Sequence, residues 1–184
     1  MKRSTENRAA NFFAALLSFR NSKVFKKLNI ILVIAWCIVI FCFSAQTGSK
    51  SSSLSKKISI AVVNTVNKIS NIELEQDGVQ RTLKNIEFYV RKTAHFSEYA
   101  ILAILIFMCL KDVSFFSNRY IAAAFLVALY ASTDEIHQLF VPQRAGQFRD
   151  VCIDTSGGIT ALIIIFLIKK IITYRKRKEN DRIR

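Results

Sequence analysis

LNIILVIAWCIVIFCFSA, residues 28–45, runs for eighteen positions without a charge. At about 1.5 Å per residue it reaches roughly 27 Å, close to the thickness of a bilayer's hydrocarbon core. The segment before it is long and mixed for a signal peptide, and Phe43 spoils the small-residue pattern ahead of Ala45. The stretch therefore reads as a retained membrane helix. At 184 residues the chain is short enough for a single domain.

Three weaker apolar runs follow. Residues 94–110 are apolar from Ala100, but the start holds His95, Ser97 and Glu98. Residues 120–131 are apolar and then meet Ser132, Thr133, Asp134, Glu135, His137 and Gln138. Residues 151–168 are apolar beyond Ile159, after first turns that hold Asp154, Thr155 and Ser156. None would cross a membrane alone; each needs neighbours.

Charge sets the topology. Of 27 Lys and Arg, seven lie in residues 1–27 and eight in residues 169–184. Basic tails at both ends place both in the cytoplasm, so the number of crossings is even, and four fits the runs. The expected fold is all-α, with a basic cytoplasmic tail over residues 1–27, a four-helix transmembrane domain over 28–170 and a second basic cytoplasmic tail over 171–184. In that arrangement the polar start of the second span, the polar end of the third and the polar start of the fourth all face outside. Ionisable groups at membrane depth are costly unless they meet one another, so they should converge into one outward-facing pocket.

Composition agrees. The chain is 52% hydrophobic and 22% charged, with the two kinds of residue segregated along it. The net charge of +14 resides largely in the tails rather than on one face of a soluble fold, which argues against nucleic acid as partner. Cys37, Cys42, Cys109 and Cys152 show no paired spacing, and three lie in apolar runs, so neither a disulfide framework nor a zinc ribbon is expected.

Between the first two spans lies a long segment, residues 46–92, expected to be external. It opens QTGSKSSSLS, after which Leu54, Ile58, Ala61, Val62, Thr65, Val66 and Ile69 recur at helical spacing. That spacing predicts an amphipathic helix, lying on the membrane, over the pocket or solvated at the surface. Residues 73–78 read as an acidic turn. Val79, Leu83, Ile86 and Val90 then share one face of a helix that continues into the second span.

The candidate site is read from four groups of residues. Arg91, His95 and Glu98 line one helical stripe, flanked by Lys92 and Tyr99. Tyr130, Asp134, His137 and Gln138 share a face, with Glu135 pointing elsewhere. The loop 139–149 holds the lone proline, Pro142, and the cations Arg144 and Arg149. Asp150, Asp154, Gly157 or Gly158, and Ala161 form a stripe that is polar at one end and small at the other, which suits close helix approach.

Four uses fit these groups. They could be structural, satisfying one another and fixing helix register. They could hold a metal through His95, Glu98, Asp134 and His137, although HExxH is missing and no cysteine assists. A His–carboxylate pair could serve acid–base chemistry, without any nucleophile motif in support. Or Arg91, Lys92, Arg144 and Arg149 could bind phosphate or carboxylate groups of an envelope molecule, the most natural use of so many cations. No cofactor or metal is expected, and membrane lipids are the expected surroundings.

The blocks FSAQTGSKSSSLS, RKTAHFSEYAIL and ASTDEIHQLFVPQRAGQFRDVCIDTSGG occur in that order, and together they resemble the VanZ family of bacterial membrane proteins. The resemblance spans about residues 28–170. The family's characteristic polar positions fall on Arg91, Lys92, His95, Glu98, Tyr99, Asp134, Glu135, His137, Gln138, Pro142, Arg144, Asp150, Asp154 and Gly157. The family often has Asn where this chain has Asp154. The resemblance implies a multi-pass protein of the bacterial cytoplasmic membrane, associated with resistance to the glycopeptide teicoplanin and without a settled reaction.

Overall fold

The computed structural model describes residues 23–70, 76–112 and 118–183, and every regular element in them is helical. In chain order these are α1 (Lys23–Ser44), α2 (Gly48–Ser70), α3 (Gln76–Cys109), a 3-10 turn (Leu110–Asp112), α4 (Arg119–Gln138) and α5 (Phe148–Ile183). Most of the N-terminal tail, residues 1–22, and the Glu73–Glu75 part of the expected acidic turn lie outside the described residues.

Among the described residues three helices are long and apolar enough to cross a membrane, over Val24–Ser44, Leu83–Cys109 and Phe148–Arg182. The chain is accordingly a helical membrane protein. The run expected as the third span does form a helix, α4, but its last turns carry Asp134, Glu135, His137 and Gln138, which dilute its apolar character. Asn118 sets where α4 begins: its side chain accepts hydrogen bonds from Tyr120 N at 3.0 Å and Ile121 N at 3.4 Å, satisfying two amides that a helix start leaves orphaned.

On α1, Val33, Trp36, Cys37 and Ile40 follow helical spacing and pack inward, while Ile30, Ile31, Ile34 and Ile38 stay exposed. That apolar exposure suits lipid rather than water. Centrally, Tyr99, Leu102, Ala103 and Ile106 of α3 meet Ala123, Val127 and Ala131 of α4, with Ala161 and Leu162 of α5 closing the core. α3 and α5 approach closely at Gly157, where a Cβ would overlap the Phe96 carbonyl. A glycine here thus permits close backbone contact between the two helices.

α2 packs along α3 through a stripe of small residues. Ser55, Ser59 and Val63 are buried, whereas Leu54, Ile58, Ile60 and Val62 remain exposed. Burying those serines is cheap, because Ser55 Oγ donates to Ser51 O at 3.0 Å and Ser59 Oγ to Ser55 O at 2.8 Å. The expected helix therefore exists, but the stripe that meets the protein is Ser55, Ser59 and Val63, while Lys56, Lys57 and Asn64 are exposed. α5 runs without a break from Phe148 to Ile183, so much of the basic C-terminal tail is a helical extension of the last span.

Candidate functional site

The loop between α4 and α5 organises one end of the bundle by capping the corner between α1 and α2. Arg144 Nε donates to Gln46 O at 3.0 Å and Nη2 to Phe43 O at 3.1 Å, covering carbonyls left over where α1 ends. One residue earlier, Gln143 adopts φ 61°, a left-handed conformation, and its Oε1 accepts from Ser49 N at 3.1 Å. Gly48 N donates to Pro142 O at 3.2 Å, so the start of α2 is held by the same turn. Only glycine fits at position 48, since a Cβ would overlap the Gln143 carbonyl. Glu135 secures the far side of the loop, its Oε2 accepting from Gln147 N at 2.8 Å.

Beneath this corner lies a cavity of about 230 Å³ between α1, α2 and α3. Its polar wall comprises Arg91, His95, Glu98 and Arg144, with Ser51 and Ser55 from α2. Its apolar wall comprises Phe43, Leu54, Ile58, Val90 and Ala94. Within it, His95 Nδ1 stands 3.9 Å from Glu98 Oε2, beyond hydrogen-bond reach. Arg91 lies 3.7 Å from Glu87, one turn away, and 3.5 Å from Ser52 Oγ, while its Nε is buried without a hydrogen-bond partner among the described residues. Trp36 braces the wall from α1, donating to the Glu98 carbonyl at 2.9 Å. Burial, and after it the nearby Arg91 guanidinium, pull Arg144 below the usual arginine range; arginine nonetheless keeps its charge.

Behind the cavity sits a second, more deeply buried group. Asp134, Glu135, Gln138 and Asp154 are each at most 5% exposed. Gln138 Nε2 donates to Asp134 Oδ2 at 3.2 Å while its Oε1 accepts from Arg144 Nη1 at 3.3 Å, so one amide links a carboxylate to the loop's guanidinium. Lys92 pairs with Asp150, joining α3 to the first turn of α5. The Tyr99 hydroxyl, Asp134 Oδ1, Asp154 Oδ2 and His137 Nε2 are buried without hydrogen-bond partners among the described residues. His137 stacks on Phe41, with ring centroids 4.5 Å apart.

The residues read from the sequence thus gather at one end of the bundle, but in two places. Arg91, His95, Glu98 and Arg144 line the cavity; Lys92, Tyr99, Asp134, Gln138, Asp150 and Asp154 form or border the buried group behind it. Glu135, expected to point away from the face shared by Asp134 and His137, is 5% exposed and fastens the loop. The loop returns over the side of α4 on which it lies. Arg149 is set apart, its side chain 64% exposed and its guanidinium 5.8 Å from the centre of the Phe88 ring. Among the described residues no three His, Cys, Asp or Glu side chains gather as a metal would require, so the set His95, Glu98, Asp134 and His137 does not assemble. Sequence reasoning passed over Trp36, Phe43, Gln46, Gln143 and the α2 serines as site residues. The four-residue spacing of Ser51, Ser55 and Ser59 was a usable signal for the serines; backbone capping by Gln143 leaves none.

This fold and site define a small helical membrane protein in which a polar cluster closes one end of an apolar bundle. The family model VanZ/LLP1 matches residues 29–169, and the chain belongs to that family. No curated protein and no solved structure matches it.

Proposed function

We propose that this protein acts at the outer face of the bacterial cytoplasmic membrane, where its polar end engages a component of the cell envelope and lowers susceptibility to teicoplanin. In this reading α4 is the fourth crossing. Its twenty residues correspond to roughly 30 Å, and Asp134, Glu135 and Gln138 are turned into the protein rather than toward lipid. Four crossings with basic tails put both termini in the cytoplasm and the polar end outside.

One observation carries the proposal: residues from α1, α2, α3 and the α4–α5 loop converge on a cavity lined by Arg91, whose Nε is buried without a hydrogen-bond partner among the described residues. Helix glue has no need of a cavity, and a buried guanidinium N–H left unpaired is costly. Lys92 pairs with Asp150 and Arg144 with the α1 carbonyls, while Arg91, among the described residues, meets only Glu87 at 3.7 Å and Ser52 at 3.5 Å, both at long range. Arg91 is therefore the natural contact for an anionic ligand.

The experiment is expression in a susceptible bacterium, with teicoplanin and vancomycin susceptibility measured against an empty vector. Protection against teicoplanin at verified membrane abundance supports the reading. Unchanged susceptibility at the same abundance removes the resistance half of it.

A further inference from the structure

The cavity's size and the chemistry of its two walls narrow the ligand to one class. We infer that the cavity takes the headgroup of a single phosphate-bearing membrane lipid whose headgroup also carries a hydroxyl donor, entering sideways from the bilayer. This deepens the preceding proposal and rests on its premise that the cavity is a binding site.

Size comes first. Sites for drug-sized molecules occupy roughly 300–1,000 Å³. At about 230 Å³ this cavity is smaller than that, and a glycopeptide antibiotic is much larger than a drug-sized ligand. With about 30 Å³ per water-sized group, it holds on the order of eight such groups, enough for a phosphate with a short polyol. The antibiotic itself is excluded.

Charge comes next. Arg91 and Arg144 bring two positive charges to the lining and Glu98 one negative charge. Arg144 is committed to the α1 carbonyls, which leaves the Arg91 guanidinium, its Nη2 3.7 Å from Glu87 and 3.5 Å from Ser52 Oγ, to meet the phosphate. Planar guanidinium donors match phosphate oxygens well. Glu98 repels a bare phosphate, but its carboxylate accepts from a headgroup hydroxyl. A cation and a carboxylate in one small cavity thus favour a ligand with both an anionic and a donor group.

Shape supplies the direction. Phe43, Leu54 and Ile58 line the cavity and are also 44%, 49% and 45% exposed. They join the cavity to the apolar outer surface of α1, where Ile38 and Val39 are exposed as well. A lipid can keep its acyl chains against this surface while only its headgroup turns inward, which avoids extracting the chains from the bilayer. A water-soluble phosphate would have no use for the apolar rim.

The test uses the full-length protein in nanodiscs, with lipid retention read by native mass spectrometry. Phosphatidylglycerol, phosphatidylcholine and diacylglycerol are offered in competition, and glycerol phosphate and teicoplanin are added separately as soluble competitors. We expect phosphatidylglycerol to be retained at least tenfold over the other two, and neither soluble compound to displace it. Arg91→Gln should abolish the preference. Because that variant could misfold, Ala94→Trp serves as a second test: it fills the cavity without touching a charge and should lose the lipid at unchanged helix content and melting temperature. Equal retention of the three lipids, displacement by glycerol phosphate or teicoplanin, or full retention by a folded Ala94→Trp overturns the inference. Susceptibility in cells is a separate readout: if it still depends on Glu98 while lipid preference is absent, this inference fails and the preceding proposal stands. The converse result removes the resistance half of the proposal and leaves this inference standing.

Discussion

Arg144 and Gln138 tie the α4–α5 loop to the helix it leaves: Nη1 donates to Oε1 at 3.3 Å, and the same amide donates to Asp134 at 3.2 Å. The guanidinium that caps α1 is thereby joined, through one neutral side chain, to a carboxylate inside the bundle. The loop holds the cavity's roof and the buried cluster together.

Arg144 should accordingly be a stability residue. Its bonds to Phe43 O and Gln46 O are charge-assisted, each worth about 1.5–3 kcal/mol, and their loss leaves Phe43 O with only the Gln46 amide at 3.3 Å. Arg144→Gln should cost about 3 kcal/mol, seen as a large fall in melting temperature in detergent. Arg149→Gln, at a side chain 64% exposed, should stay within about 0.5 kcal/mol of the parent. Equal effects of the two substitutions would contradict the capping role.

Two adjacent glycines should differ. A Cβ on Gly157 would overlap the Phe96 carbonyl, whereas on Gly158 it would meet a side chain, Val127 Cγ1, at 2.8 Å. Backbone cannot move aside as a side chain can, so Gly157→Ala should destabilise by about 1–3 kcal/mol. Gly158→Ala should be near neutral, because part of its clash is offset by the roughly 1 kcal/mol by which alanine favours helix over glycine. Melting curves of the two variants test the order.

The carboxylates separate a working pocket from helix glue. Glu98→Gln and Asp134→Asn preserve shape and most hydrogen bonding, and polar contacts between membrane helices average only about 0.6 kcal/mol. Both variants should therefore reach near-parental membrane levels while losing teicoplanin protection. Retained protection in both would leave the structural reading standing. Abundance must be followed in parallel, because an unpaired buried charge costs roughly 3–5 kcal/mol.

Orientation is open to direct labelling. In a variant without native cysteines, single cysteines at Ser51, Ser52 or Gln143 should react with an impermeant maleimide in intact cells. Cysteines at Arg175 or Lys178 should react only after permeabilisation. Reaction of the tail positions in intact cells would reverse the topology and move the cavity to the cytoplasmic side.

The sequence alone determined the class and much of the site. Eighteen uncharged residues at 28–45 are long enough to span a bilayer whatever surrounds them, and hydrophobic length is a local property. The shared end of the polar residues was also legible, because alternating helix direction and the basic tails constrain it without knowledge of packing. Periodicity likewise placed Arg91, His95 and Glu98 on one stripe, and all three line the cavity.

Tertiary structure decided what each polar group faces. Glu135 lies outside the stripe of α4 that the sequence suggests as inward, yet the returning loop buries it against Gln147. α2 buries Ser55 and Ser59 while Leu54 and Ile58 stay about half exposed at the cavity's rim, since close helix packing favours small residues. Lys92 and Arg149, equivalent as cations in the sequence, both approach Asp150, but Lys92 does so closely from the neighbouring helix while Arg149 stays 4.0 Å away with its side chain 64% exposed. Length, charge bias and period are carried by consecutive residues; partnership is set by segments as far apart as Phe43 and Arg144, and only folding brings those together.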